Sequence, residues 1–157
     1  MDSNMPIGLN PQQTSQLVKG LNDLLSDLEI FYMNVRGFHW NIRGKEFFEL
    51  HLKFEELYTD LQLKIDEVAE RILTLGGRPL HAFEDFIQTS DVHVVRDVTH
   101  GDEAMKHCVA AFSVLLLRER ALLQLSADAS DEGTNALMSD YIREQEKLVW
   151  MYRAYLG

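Results

Sequence analysis

The chain has 157 residues, of which 46% are apolar and 25% charged, which is enough for one domain with a substantial core and too few for two. Its formal charge of -10 argues against a nucleic-acid or anionic-membrane partner, because binding to polyanions depends on Lys and Arg. We therefore expect a single domain over residues 1–157, with an N-terminal extension at 1–11.

The composition also indicates a cytoplasmic protein. No apolar run approaches the ~20 residues of a membrane-spanning helix, and the first residues lack the basic and apolar segments of a secretory signal. The single cysteine, Cys108, cannot form an internal disulfide. Because Cys108 lies in an apolar run, we expect it to pack as a small hydrophobic residue.

Two long helices are predicted in the first half of the chain. Apolar residues recur at three- and four-residue steps from about Gln12 to Trp40, and again from Lys45 to Leu75. The turn formers at residues 41–44 predict a short connection between these helices. Two glycines followed by Pro79 predict the end of the second helix.

The second half is predicted to hold a crossover and two more helices. Residues 78–98 mix apolar, polar and β-branched side chains, which suggests a long crossover containing one short helix. Thr99-x-x-Asp102 resembles a helix start, and this third helix would run to about Ala127. The polar stretch from Asp128 to Asn135 would separate it from the fourth helix. Two short links around one long link describe an all-α four-helix bundle with ferritin-like connectivity.

The second helix carries a stripe of possible metal ligands. With ~100° of rotation per residue, His51, Glu55, Asp66 and Glu70 fall within about 100° of one another on its surface. Along the axis, however, His51 and Asp66 are ~22 Å apart, whereas the ligands of one metal converge within a few ångströms. His39, at the end of the first helix, could lie beside His51 of its own chain.

Two copies of the second helix would complete the site. If they lie antiparallel about a two-fold axis, His51 of one chain faces Asp66 and Glu70 of the other, and symmetry generates two sites about 20 Å apart. Imidazole and carboxylate ligands suit Fe(II), Mn(II) or Zn(II), and few protein ligands per metal leave positions open for an oxidant.

A metal-free interpretation of the same residues stays open. Histidine on a helix face is more often a surface or core group than a ligand, and an Asp-x-x-x-Glu pair is usually solvated. In that case the histidines are core or interface groups of an inert bundle. The sequence contains no Glu-x-x-His pair, the motif of di-iron bundles, so a di-iron centre inside one bundle is not expected.

The sequence resembles the Dps family of miniferritins over nearly the whole chain. The residues that carry the resemblance are His39-Trp40-Asn41-x-x-Gly44, Phe47 or Phe48, Leu50-His51, Phe54-Glu55, Tyr58, Asp66-Glu67-x-Ala69-Glu70-Arg71, Leu75-Gly76-Gly77, Trp150-Met151 and the terminal Ala154-Tyr155-Leu156-Gly157. The set His, His, Asp, Glu at steps of 12, 15 and 4 residues is its most specific part.

The resemblance implies a dodecameric hollow shell that oxidises Fe(II), preferably with hydrogen peroxide rather than O2, and stores the ferric mineral. His39 and His51 would come from one subunit, and Asp66 and Glu70 from its two-fold partner. Glu70 would be the strongest iron ligand. Glu55, where many relatives have Asp, would hold a second, weaker iron. Zinc is a possible competitor.

Other residues acquire expected roles from the same resemblance. Trp40 would lie beside the centre and give up an electron to a stray oxidant; the alternative is an aromatic core residue at a helix end. Asp128, Asp131 and Glu132 would line three-fold entry pores; the alternative is a hydrophilic loop. Glu56, with Glu55, would help to nucleate the mineral.

DNA protection is the alternative function of such a shell. Members that compact DNA usually do so with Lys- or Arg-rich tails, whereas here the first twenty residues carry one basic residue, Lys19, and no basic run precedes Gly157. We therefore expect no tight DNA binding at neutral pH.

Overall fold

The computed structural model describes residues 7–157, and in that range the chain forms a bundle of four long helices with a short helix in the crossover. The elements are α1 (Pro11–Asn41), α2 (Phe47–Thr74), α3 (Phe83–Thr89), α4 (Gly101–Asp128) and α5 (Glu132–Leu156). α1 packs against α2, α4 against α5 and α1 against α4, while α3 lies on α1. The predicted all-α bundle with one long crossover is confirmed. Part of the predicted extension at 1–11 lies outside the described residues.

The first hairpin is defined by a cap and a turn. The Asn10 side chain accepts hydrogen bonds from the backbone N–H groups of Gln12 and Gln13, and Pro11 occupies the first helical position, where its missing N–H costs nothing. In the link to α2, Gly44 has a φ of +114°, which residues with a Cβ rarely adopt. The turn reverses the chain so that the end of α1 lies beside the start of α2.

The core is aromatic at its centre and apolar throughout. Phe31, Phe54 and Phe112 are among the largest fully buried side chains, and the rings of Phe31 and Phe112 meet edge to face at 5.1 Å. Cys108 is fully buried, as predicted, and burial raises the pKa of its thiol. Within residues 7–157, no helix combines the length and hydropathy needed to cross a membrane.

The crossover is fixed to α1 by polar contacts. Asp27, which has no exposed surface, accepts hydrogen bonds from the Asp91 N–H at 2.7 Å and from the Nε of Arg118 at 2.9 Å. Further along α1, the Asn34 amide donates to the His93 carbonyl oxygen and accepts from the Val95 N–H. These contacts satisfy backbone groups of a segment that has little regular structure of its own.

Two predicted helix starts are wrong. α5 begins at Glu132, so only residues 129–131 separate it from α4, and the polar residues up to Asn135 belong to its first turn. α4 begins at Gly101 with His100 as its N-cap, so the predicted start at Thr99 is misplaced by one position. Both errors have one cause: helix first turns favour the same short polar residues as loops do.

Candidate metal centre

The end of α1 and the first turn of α2 bring two imidazoles together. The rings of His39 and His51 stack with their centroids 3.8 Å apart and their planes 12° from parallel. His39 is buried and His51 half-buried in the single chain. The pairing anticipated from the sequence is therefore present, since the Gly44 turn places the two residues side by side.

Each imidazole is fixed by the backbone of the other residue. His39 Nδ1 lies 2.6 Å from the carbonyl oxygen of His51, and His51 Nδ1 lies 2.7 Å from the carbonyl oxygen of His39. A carbonyl oxygen can only accept, so both Nδ1 atoms carry the hydrogen. In the neutral rings both Nε2 atoms then hold a free lone pair. Fixing a ring through one nitrogen so that the other can bind a metal is the usual support of histidine ligands.

Aromatic side chains and one arginine surround the pair. Tyr58 meets the His39 ring edge to face at 5.3 Å, and the Arg36 guanidinium lies over the rings of Tyr58 and Trp40 at 4.8 and 5.0 Å. Trp40 is 57% exposed, so the alternative that it is a core residue is wrong. The sequence analysis overlooked Arg36, whose spacing of four residues before Trp40 was the available signal.

The carboxylates lie elsewhere on α2. Asp66 and Glu70 are exposed, 15 and 19 residues after His51, and therefore ~22 Å or more along the helix axis. Glu55 is also exposed, one turn after His51. Among residues 7–157 of one chain, no three His, Cys, Asp or Glu side chains converge as a metal site would require. The structure thus brings together the histidines and leaves the acids apart.

The helix face that carries the acids also exposes large apolar side chains. Leu52, Leu63 and Leu73 are 55%, 61% and 55% exposed, and on the helical wheel they fall within about 60° of Asp66. Exposed apolar side chains grouped on one face are typical of a surface that packs against another protein. These leucines were not singled out in the sequence, although they lie off the apolar stripe that faces the core.

One predicted pore residue has a structural role. The Asp131 side chain is 1% exposed, pairs with Arg71 at 2.7 Å and accepts a hydrogen bond from the Thr134 N–H as the N-cap of α5. The prediction that Asp131 lines an entry pore is therefore wrong, because its carboxylate is buried and engaged. Asp128 and Glu132, on either side of the turn, are exposed.

Comparison with known proteins agrees with this architecture. Residues 18–157 match the family model for the ferritin-like domain. The fold and the match define the chain as a ferritin-like protein. A crystal structure of the Dps protein from Vibrio cholerae O1, described as a member of a broad superfamily of ferritin-like diiron-carboxylate proteins, superposes with a TM-score of 0.96 at 56% identity, covering 97% of this chain and 96% of that one.

Relatives by sequence narrow the assignment. A DNA protection during starvation protein from Porphyromonas gingivalis is 45% identical over 94% of this chain and 93% of its own length. An uncharacterized protein from Haemophilus influenzae is 47% identical over 97% and 95%. This chain belongs to the Dps family.

Proposed function

We propose that the protein oxidises Fe(II), preferably with hydrogen peroxide, at centres shared by two-fold-related subunits, and stores the ferric product inside a dodecameric shell in the cytoplasm. The observation that carries this proposal is the separation of the ligands: two prepared imidazoles lie at one end of α2 and two acids near the other. The Dps relationship supports the same assembly.

The antiparallel arrangement of two α2 helices solves two problems at once. It places Asp66 and Glu70 of the partner subunit near the free Nε2 atoms of His39 and His51. It also buries the exposed leucines of α2 against the partner. Burying a leucine side chain is worth about 1.5–3 kcal/mol, so this face contributes substantially to subunit association.

The chemistry follows from the ligand set. Each hydrogen peroxide takes one electron from each of two Fe(II) ions and, with two protons, gives two waters and two Fe(III) ions. Carboxylates favour the ferric product because their negative charge stabilises the higher oxidation state. Glu70 is proposed to bridge the two irons, with Glu55 as a ligand to the weaker one. Zinc competes for the same mixed imidazole and carboxylate ligands.

Passage and storage use other acids. Asp128 and Glu132 are proposed to attract Fe(II) at the pores, since both remain exposed at the turn between α4 and α5. Glu55 and Glu56 are proposed to help nucleate the ferric mineral. Glu56 also forms an ion pair with Lys53 at 2.9 Å, which leaves it half exposed to solvent.

An anaerobic titration tests the proposed reaction. Fe(II) is added to the apoprotein without oxygen, peroxide follows, and ferric absorbance and consumed peroxide are measured together. Paired electron transfer predicts two irons oxidised per peroxide. A ratio of one iron per peroxide, with hydroxyl radical detected by a spin trap, would contradict it.

The names of several relatives favour a second candidate, a shell that protects DNA with little iron chemistry. Against direct binding stands the charge of -10, because each phosphate contact needs a Lys or Arg to displace counterions. A gel-shift assay at low and at physiological salt separates the candidates. We expect unshifted DNA at neutral pH under both conditions, and a retarded band at physiological salt would favour the DNA-protecting shell.

A further inference from the structure

Three polar residues occupy core positions where α2, α4 and α5 meet. Lys64, Glu119 and Gln145 are 3%, 0% and 1% exposed. Each interrupts an apolar series: Lys64 stands between Leu61 and Val68, and Glu119 between Leu115 and Leu122, at core spacing. Polar side chains this deeply buried are costly unless something satisfies them.

The Lys64 ammonium is held by carboxylates in the manner of a bound cation. Its Nζ lies 3.1 and 2.9 Å from the two oxygens of Asp60 and 2.7 Å from Glu144 Oε2, and it also lies over the Tyr141 ring at 5.0 Å. Asp60 and Glu144 are themselves nearly half exposed. A groove of about 490 Å³ between α2 and α5 gives solvent access to both.

Behind the ammonium lie further oxygen atoms that are not used. Within residues 7–157, neither carboxyl oxygen of Glu119 and neither amide atom of Gln145 has a hydrogen-bond partner, although all four atoms are buried. Glu119 is close enough to Lys64 for the ammonium to lower the pKa of the carboxyl, while burial, the larger effect, raises it to about 8. The two side chains face the same polar interior as the ammonium.

These side chains together form the donor set of a hard cation. Asp60, Glu119 and Glu144 supply carboxylates and Gln145 an amide oxygen, from three different helices, and oxygen ligands of this kind suit Mn²⁺. Ferritin-like bundles that bind metals internally also use inward carboxylates from several helices. We propose that Lys64 occupies, with its own ammonium, a metal site inside the bundle, and thereby keeps divalent metals out of the subunit core.

This inference goes beyond the proposed function and does not depend on it. It predicts that a neutral residue at position 64 opens a new site in each subunit. Mn²⁺ is the probe, because it does not need to be oxidised to be counted. The variants are made with Asp66→Ala and Glu70→Ala, which remove the acids of the proposed inter-subunit centre.

In this background, equilibrium dialysis of the assembled protein is expected to show one additional Mn²⁺ per subunit for Lys64→Gln and for Lys64→Ala. Lys64→Arg, the matched control that keeps the positive charge, is expected to bind no additional ion. Adding Glu119→Gln to Lys64→Gln is expected to weaken the new site at least tenfold, which locates the ion inside the bundle. Equal Mn²⁺ binding by Lys64→Gln and Lys64→Arg would overturn the proposal.

Failure to fold is also informative. If Lys64→Ala loses its helical circular dichroism without metal, millimolar Mn²⁺ is expected to restore it, because a ligand that binds only the folded state stabilises that state. If Mn²⁺ restores no helix in Lys64→Ala and raises the melting temperature of Lys64→Gln no more than that of Lys64→Arg, the proposal is wrong.

Discussion

Two inactive variants are expected to regain Fe(II) oxidation when their subunits assemble together. One variant carries His39→Ala and His51→Ala, and the other Asp66→Ala and Glu70→Ala. In a mixed two-fold pair, one site receives both intact histidines and both intact acids, while the other site receives neither. Each variant alone lacks half of every ligand set and is expected to lose roughly 100-fold in peroxide-dependent rate.

Random pairing sets the size of the recovery. Half of the pairs are mixed and each mixed pair has one complete site, so about a quarter of the parent rate per subunit is expected. The two variants are co-expressed with different affinity tags, purified over both resins and assayed by ferric absorbance. The control is a blend of the separately assembled variants, which should stay inactive. Equal inactivity of the co-assembled and blended samples would show that the ligands do not meet across subunits.

The replacement Glu119→Gln is expected to make the protein more stable at high pH and to remove part of its pH dependence. Burial raises the pKa of Glu119 from 4.5 to about 8 in the folded state. The folded protein therefore keeps a proton that the unfolded chain releases, and stability falls as pH rises between these values. Integrated from pH 5 to pH 9, the loss is about 4 kcal/mol.

Neighbouring charges on all the packed elements enter this prediction. Lys64 on α2 and Arg120 on α4 lower the pKa of Glu119, whereas Glu144 on α5 raises it. Urea unfolding at pH 5, 7 and 9 measures the effect, with Glu146→Gln, an exposed carboxylate on α5, as the matched control. Parallel pH profiles for the parent and Glu119→Gln would mean that Glu119 titrates normally.

Most of the fold could be predicted from hydrophobic spacing. α1 and α2 were located within two residues at each end, because both bury one continuous apolar stripe and are bounded by Pro11, Gly44 and Gly76. The start of α5 could not be found in the same way. Its cap, Asp131, and its first turn consist of residues that are equally common in loops, and the Arg71 contact that fixes the cap comes from 60 positions earlier in the chain.

The site was predictable only in part. Helical geometry alone showed that His51 and Asp66 cannot share a metal within one chain. The exchange of hydrogen bonds between the two histidines depends on backbone positions that no spacing rule supplies. Lys64 and Glu119 were overlooked because long polar side chains at core positions can reach solvent at their tips, and only coordinates show that these two do not.

The reciprocal bonds of His39 and His51 make the two rings a single unit. Replacing either residue removes one Nδ1 donor directly and releases the backbone segment that steadies the other ring. In a double-mutant cycle, the second replacement should therefore cost much less than the first. Over evolutionary time the pair should be kept or lost together, since one ring without the other retains little of its value.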